Sequence, residues 1–483
     1  MKRLTVLITI TVWFASGVTG GQQQTTMADN IIWKKNFDGS RDGRFHAVTT
    51  VNDGIVTAGS SFGKEVYCNG LSVKYDYAGN VVWERTFGGS RHDYFLAVTA
   101  LPDGVIAAGI SQNASFGDRD WTGVKAKGEE DAIIVKYDNE GNLLWKNNFG
   151  GRGKDKFNGV MAVSDGIIAV GESSPESFGN GDWTGIQGNG ASKAILVKYD
   201  HDGHIVWKKR FGGSRNEWFN AITAVPDGFV VVGCSYSRGF DVNWETGGTG
   251  TGGNTGTNNL NDKVPRNLTT AIIVKFDHAG NVVWKKHFGG LENNVFRAVT
   301  ASPEGITAAG SSSYGSFAGR GDWEGVSAAS KDNAIIVHYD HAGNIKWKHH
   351  LDIDSFPTPT NSAMYESTQK NFPTLPNRNA HFTELRFNGV ATVPDGIIAA
   401  GDTDKYSCGN YTCDAIIVKY DHAGNVIWKK YFGGGYDWFY AITAVPHGFI
   451  TAGHTTWQSV GKGDWDGVAR SKSNEAITVY FKE

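Results

Sequence analysis

"KYDHAGNVIWKKYFGG" runs from Lys419 to Gly434, and "KYDHDGHIVWKKRFGG" runs from Lys198 to Gly213. The same phrase, a Trp set behind an Asp/Gly turn, recurs at Trp33, Trp83, Trp145, Trp207, Trp284, Trp347 and Trp428. A unit of this size cannot bury its own apolar face and must stack on its neighbours, so a fixed repeat dictates the architecture. Each copy holds four short apolar runs; in the second they are Phe95 to Leu101, Gly104 to Ile110, Ala132 to Asp138 and Asn142 to Phe149. They are rich in β-branched and aromatic residues and bounded by "PDG" or "NEGN" turn signals, which predicts a four-stranded antiparallel meander per copy. Seven such units predict an all-β, seven-bladed β-propeller with strands A to D running outward from the axis. The chain opens with an orphan D-type strand, Ile31 to Phe37, and ends with an orphan C-type strand, Ala476 to Lys482. Pairing the two completes the seventh blade and leaves no sheet short of a strand.

Composition agrees. The chain has 483 residues, 40% hydrophobic and 20% charged, with 64 Gly against 11 Pro, which suits many short strands joined by tight turns. The net charge is -3, with no basic run beyond the recurring "WKK", so nucleic acid is not an expected partner. Residues 1–20 combine a basic start, an apolar run and small residues, which predicts a secretory signal, followed by a linker over 21–30 and the propeller over 31–483. The expected location is therefore secreted, periplasmic or at the cell surface, with no membrane span after cleavage. Of the four cysteines, Cys408 and Cys413 are spaced to staple one short loop.

"IIVKYDxxGNVVWKKxFGG" followed by "FNAVTAVPDGIIAAG" is similar to the repeats of bacterial extracytoplasmic propeller proteins, grouped loosely with the PQQ-like and delta-60 type repeats. The resemblance covers nearly the whole chain after residue 30 and implies a fold, together with binding or scaffolding roles, but no reaction. No Walker, Rossmann, zinc or nucleophile-elbow pattern appears, and no cofactor is expected.

The parity of a meander puts the A-to-B and C-to-D turns on one face and the B-to-C and D-to-A connections on the other. All the length variation lies in the second set, including inserts at 245–268 in blade four and 352–385 between blades five and six. Varied loops on a rigid scaffold are where binding resides, so this face is the expected functional face. Its recurring element is "SFGDRDWTGV" (Ser115 to Val124), with sister copies that place Asp120–Trp121, Asp182–Trp183, Asp322–Trp323 and Asp464–Trp465. A ring beside a carboxylate suits a sugar, whose CH face stacks on Trp while its hydroxyls donate to Asp. The plainer alternative is that each Trp pins its own loop and each Asp caps a turn.

A second set, Arg41, Arg91, Asp93, Arg215, Glu217 and Asp437, begins the A strands and could ring the channel mouth or form bridges between blades. Two function classes follow. One is a binding module for a glycan or an extracytoplasmic protein, without catalysis. The other is a glycan-active hydrolase or lyase using carboxylates such as Asp93, Glu217 and Asp437 ~5 to 9.5 Å apart, with a scaffold role as a third possibility.

Overall fold

The protein is described by a computed structural model covering residues 30–37, 41–62, 67–236, 268–317, 321–324, 326, 332–351, 383–407, 410–433, 436–457, 459–460, 463–466, 468 and 473–483. The predicted signal, linker and both long inserts fall wholly or almost wholly outside these residues. Seven four-stranded antiparallel sheets form the ring, six in plain A-B-C-D order. In the seventh, Ile31–Phe37 takes the outermost place beside Glu475–Lys482, with Trp33 opposite Tyr480 and Phe37 opposite Ala476. The A strands of successive blades pack on one another all the way round, including the last against the first.

The repeated residues account for how neighbouring blades lock. Five of the D-strand Trp residues donate the indole N–H to a carbonyl in the C-to-D turn of the next blade: Trp33 to Tyr77 at 3.0 Å, Trp83 to Asn139 at 3.0 Å, Trp145 to His201 at 3.1 Å, Trp284 to His341 at 3.0 Å and Trp347 to His422 at 3.1 Å. The turn Gly lies flat against that same indole. Gly141 has a φ of 79°, and a Cβ there would stand 2.8 Å from Trp83 Cδ2. "AGN" therefore recurs for two reasons, a left-handed turn and a ring pressed against it. Gly141→Ala is expected to cost about 2–4 kcal/mol, combining left-handed strain with overpacking. A denaturant midpoint unchanged from the parent would show that the ring does not bear on the glycine.

A second lock ties the turns to the sheets. The strand-C lysines Lys74, Lys136, Lys198, Lys275 and Lys419 are almost wholly buried, yet each ammonium reaches the Asp of its own A-to-B turn at 2.6–2.9 Å. The aliphatic stem is packed in the core while the charge surfaces beside its partner. The His residues of the C-to-D turns belong to the same scheme. His201 is exposed and His341 and His422 are half-buried, and each Nε2 lies 3.3 Å from a carbonyl of an A-to-B turn.

Candidate functional site

Every A strand carries a β-bulge at the same place, immediately after a fully buried Phe. The seven Phe residues are Phe45, Phe95, Phe157, Phe219, Phe296, Phe387 and Phe439. A bulge inserts one residue that has no opposite number and re-aims its side chain. The bulged residues are His46, Leu96, Asn158, Asn220, Arg297, Asn388 and Tyr440. Three of them show the new direction: Asn158, Asn220 and Asn388 donate to the carbonyls of Phe219, Phe296 and Phe439 in the next A strand, at 2.9, 2.8 and 3.1 Å. These positions therefore line the axis. The residues just before each Phe are Arg44, Tyr94, Lys156, Trp218, Val295, Arg386 and Trp438, and their strand-B partners include Glu172, Cys234, Asp402 and His454. Together they form the end of the channel on the B-to-C loop side.

The electrostatics of this ring are uneven. Lys156 pairs with Glu172 at 2.7 Å, and Arg386 pairs with Asp402 at 2.8 Å and approaches Glu384 at 3.7 Å. The side chains of Arg44 and Arg297 have no ion pair or hydrogen bond to a described residue, and Arg297 Nε is sealed from solvent without a partner. Aromatic rings cluster on the blade-seven side. Trp438 stacks on His454 with centroids 4.1 Å apart, and Tyr440 lies 5.4 Å from His454 and 5.5 Å from His46.

Burial, helped by the Arg44 charge, pulls His46 down to about 4; burial, then Arg44 and His46, pulls His454 down to about 3. Both rings resist protonation when folded, whereas the unfolded chain titrates near the ordinary value of 6.5. The stability they contribute is complete above about pH 6.5 and is lost as the pH falls toward 4. Asp155 acts in the opposite sense, because burial raises it to about 6, so its contribution is present at low pH and is lost as the pH rises toward 6. His454→Gln is expected to shrink the fall in unfolding free energy between pH 7 and pH 5 by about 1–2 kcal/mol. Urea titrations at the two pH values measure this, and an unchanged difference would contradict the burial argument.

The residues singled out from the sequence lie elsewhere. Trp121, Trp183, Trp323 and Trp465 are all 0% exposed, so none can serve as a stacking platform for a sugar. Each lies edge-on to the last Phe of a D strand, as Trp121 does to Phe87 at 4.8 Å and Trp183 to Phe149 at 5.1 Å. The carboxylates of Asp120, Asp182, Asp322 and Asp464 accept from the backbone N–H groups of Gly88, Gly150, Gly289 and Gly433 at 2.9–3.0 Å. These are loop braces.

The second set turns out to complete the first. Asp93 accepts from Trp121 Nε1 at 2.9 Å, Ser115 Oγ at 2.9 Å, Ser111 Oγ at 2.5 Å and Gly89 N at 3.0 Å. Asp437 accepts from Trp465 Nε1 at 2.7 Å and Thr455 Oγ1 at 2.5 Å. Glu217, in one of the three blades without that Trp, meets Lys193 of the preceding blade at 3.0 Å, with both side chains buried. The paired-carboxylate centre expected from Asp93, Glu217 and Asp437 is therefore not formed, since all three point into the protein and are bonded there. Arg91 lies over the Tyr67 ring at 4.5 Å, and the Arg215 carbonyl accepts from Lys193. The side chain of Arg41 and the Cys408 half of the expected disulfide fall outside the described residues. Cys68 and Cys234 are buried thiols, and burial pushes Cys68 up to about 11.

The axial ring was missed because its residues share no motif. The signal was nonetheless in the sequence: aligned on their Phe, the seven A strands repeat almost everywhere except at the positions on either side of it. Blade five shows how closely the brace depends on its acid. Asn294 stands there in place of Asp, and Trp323 Nε1 is left buried without a partner.

No family model matches the chain, and no curated protein is similar to it. Among solved structures, Sqt1 from Chaetomium thermophilum aligns over 94% of this chain and 99% of its own, at 11% identity and a TM-score of 0.41. A putative 6-phosphogluconolactonase from Bacteroides uniformis aligns over 80% of this chain and 88% of its own, at 10% identity and a TM-score of 0.38. At these values neither bears on ligand or activity.

Proposed function

We propose that the protein is an extracytoplasmic recognition module that holds a glycan at the mouth of its central channel, on the face that carries the B-to-C and D-to-A loops. One observation carries this reading. A scaffold that repeats its core, turns and braces seven times abandons the repeat at the residues flanking the A-strand Phe, and fills those places with Trp, Tyr, His, Arg and Asn. Nothing in the packing of the ring demands that variety, because three of the seven bulged positions manage with the same Asn. Aromatic faces beside fixed polar groups are what a saccharide needs, since CH faces pack on rings and hydroxyls pair with the polar groups. Loops of unequal length around a rigid mouth supply further contacts.

The test is a broad glycan array probed with the chain from residue 21 on, run beside Trp438→Ala. Saturable binding that weakens at least tenfold in a variant that is still folded is the expected result. An array without binding would turn attention to a protein partner on the same face, where Tyr314 and Trp457 are 56% and 52% exposed.

A further inference from the structure

We infer that the channel mouth contains an oxyanion site, with the Arg297 guanidinium as its principal donor and Arg44 as a second cation on the ring, so that the ligand recognised there carries a carboxylate, phosphate or sulfate group. This deepens the recognition reading and rests on it. The argument begins with charge pairing. Four cations, Arg44, Lys156, Arg297 and Arg386, stand at the residues flanking the Phe. The acids Glu172, Asp402 and Glu384 are taken up by Lys156 and Arg386. Among the described residues, two positive charges of the ring, Arg44 and Arg297, are left without an acid.

The second observation is the state of Arg297 itself. Its Nε is buried without a hydrogen-bond partner, although an arginine offers five donors and buried donors are nearly always satisfied. Burial and the like charge of Arg386 both work against its ionisation, and Asp402, Cys234 and Glu384 offset this only in part. A side chain that makes no hydrogen bond to a described residue and stands beside a like charge is a burden on the fold by itself. That is expected of a group set in place for a ligand, whose charge then repays the desolvation. The planar fork of a guanidinium matches two oxygens of a carboxylate or phosphate, and Trp218, from the preceding A strand, meets the Cys234 thiol that also feels the Arg297 charge, which brings an aromatic ring into the same neighbourhood.

The experiment is calorimetric titration of the chain from residue 21 on with D-glucuronate, D-glucose and inorganic phosphate at fixed ionic strength, together with thermal melts of the parent, Arg297→Gln and Arg44→Gln. Saturable binding of glucuronate or phosphate is expected, with glucose at least tenfold weaker. Arg297→Gln should weaken the anion at least tenfold and Arg44→Gln several-fold. Without ligand, Arg297→Gln should melt no lower than the parent, and anion should raise the melting temperature of the parent alone. Preference for glucuronate assigns an acidic sugar; preference for phosphate assigns a phosphoryl group. The inference is overturned if neither anion binds, if Arg297→Gln binds like the parent, or if it melts clearly lower without ligand, which would make the arginine structural. Neutral glycans lost in Trp438→Ala, with no response to either anion, would overturn the oxyanion site alone and leave the recognition reading in place.

Discussion

Removing residues 1–37 is expected to leave a chain that no longer unfolds cooperatively. The strand Ile31–Phe37 is the only partner of the outer edge of Glu475–Lys482 among the described residues, and it brings Trp33 and Phe37, 9% and 7% exposed, into the core. Losing a buried Trp or Phe costs about 3–5 kcal/mol each, and the two together approach the whole stability of an ordinary domain, about 5–15 kcal/mol. The cut also exposes a row of unpaired backbone groups next to the blade-one core, an open edge that invites aggregation. Near-UV circular dichroism with a guanidinium titration measures the effect. A truncated chain with a sharp transition near that of the parent would show that the ring does not depend on its terminal strand.

Trp183→Ala should cost about 3–5 kcal/mol, the upper end for a core substitution. The ring packs against Phe149 at 5.1 Å and Phe178 at 5.0 Å, and its N–H reaches Ser173 Oγ at 3.0 Å and Asp155 Oδ1 at 3.4 Å. The alanine would leave a cavity between blades three and two and strip a donor from a carboxylate that burial already raises to about 6. Trp183→Phe keeps most of the volume and loses only the N–H, so it should fall well short of that figure. The difference between the two variants separates packing from the hydrogen bond. Equal midpoints for the parent and Trp183→Ala would contradict the description of this residue as a brace.

The fold was legible because its signals are local and repeated. A Trp at a constant distance behind an Asp/Gly turn, counted seven times with one strand of a blade at the start and the other three at the end, specifies the ring and its closure. The "DW" tryptophans were read as a sugar platform, though they are buried, for a related physical reason. The "DW" loops attract attention because they recur, and they recur because four blades need the same clamp between a B-to-C loop and the D-to-A loop below it. The partners of that clamp, Asp93 and Asp437, stand 28 residues before their tryptophans and meet them only in the folded blade. The axial residues depend on a bulge, which reverses the in–out alternation after each Phe, and alternation read from sequence alone would have assigned them the wrong side.

The claim that repeated residues build and unrepeated ones bind is tested most directly by one array experiment on Trp121→Phe and Trp438→Ala together, below the melting temperature of either. The account predicts that Trp121→Phe binds the same glycans as the parent and that Trp438→Ala loses them at least tenfold. Loss in Trp121→Phe with binding retained in Trp438→Ala would return the site to the repeated loops and contradict the account.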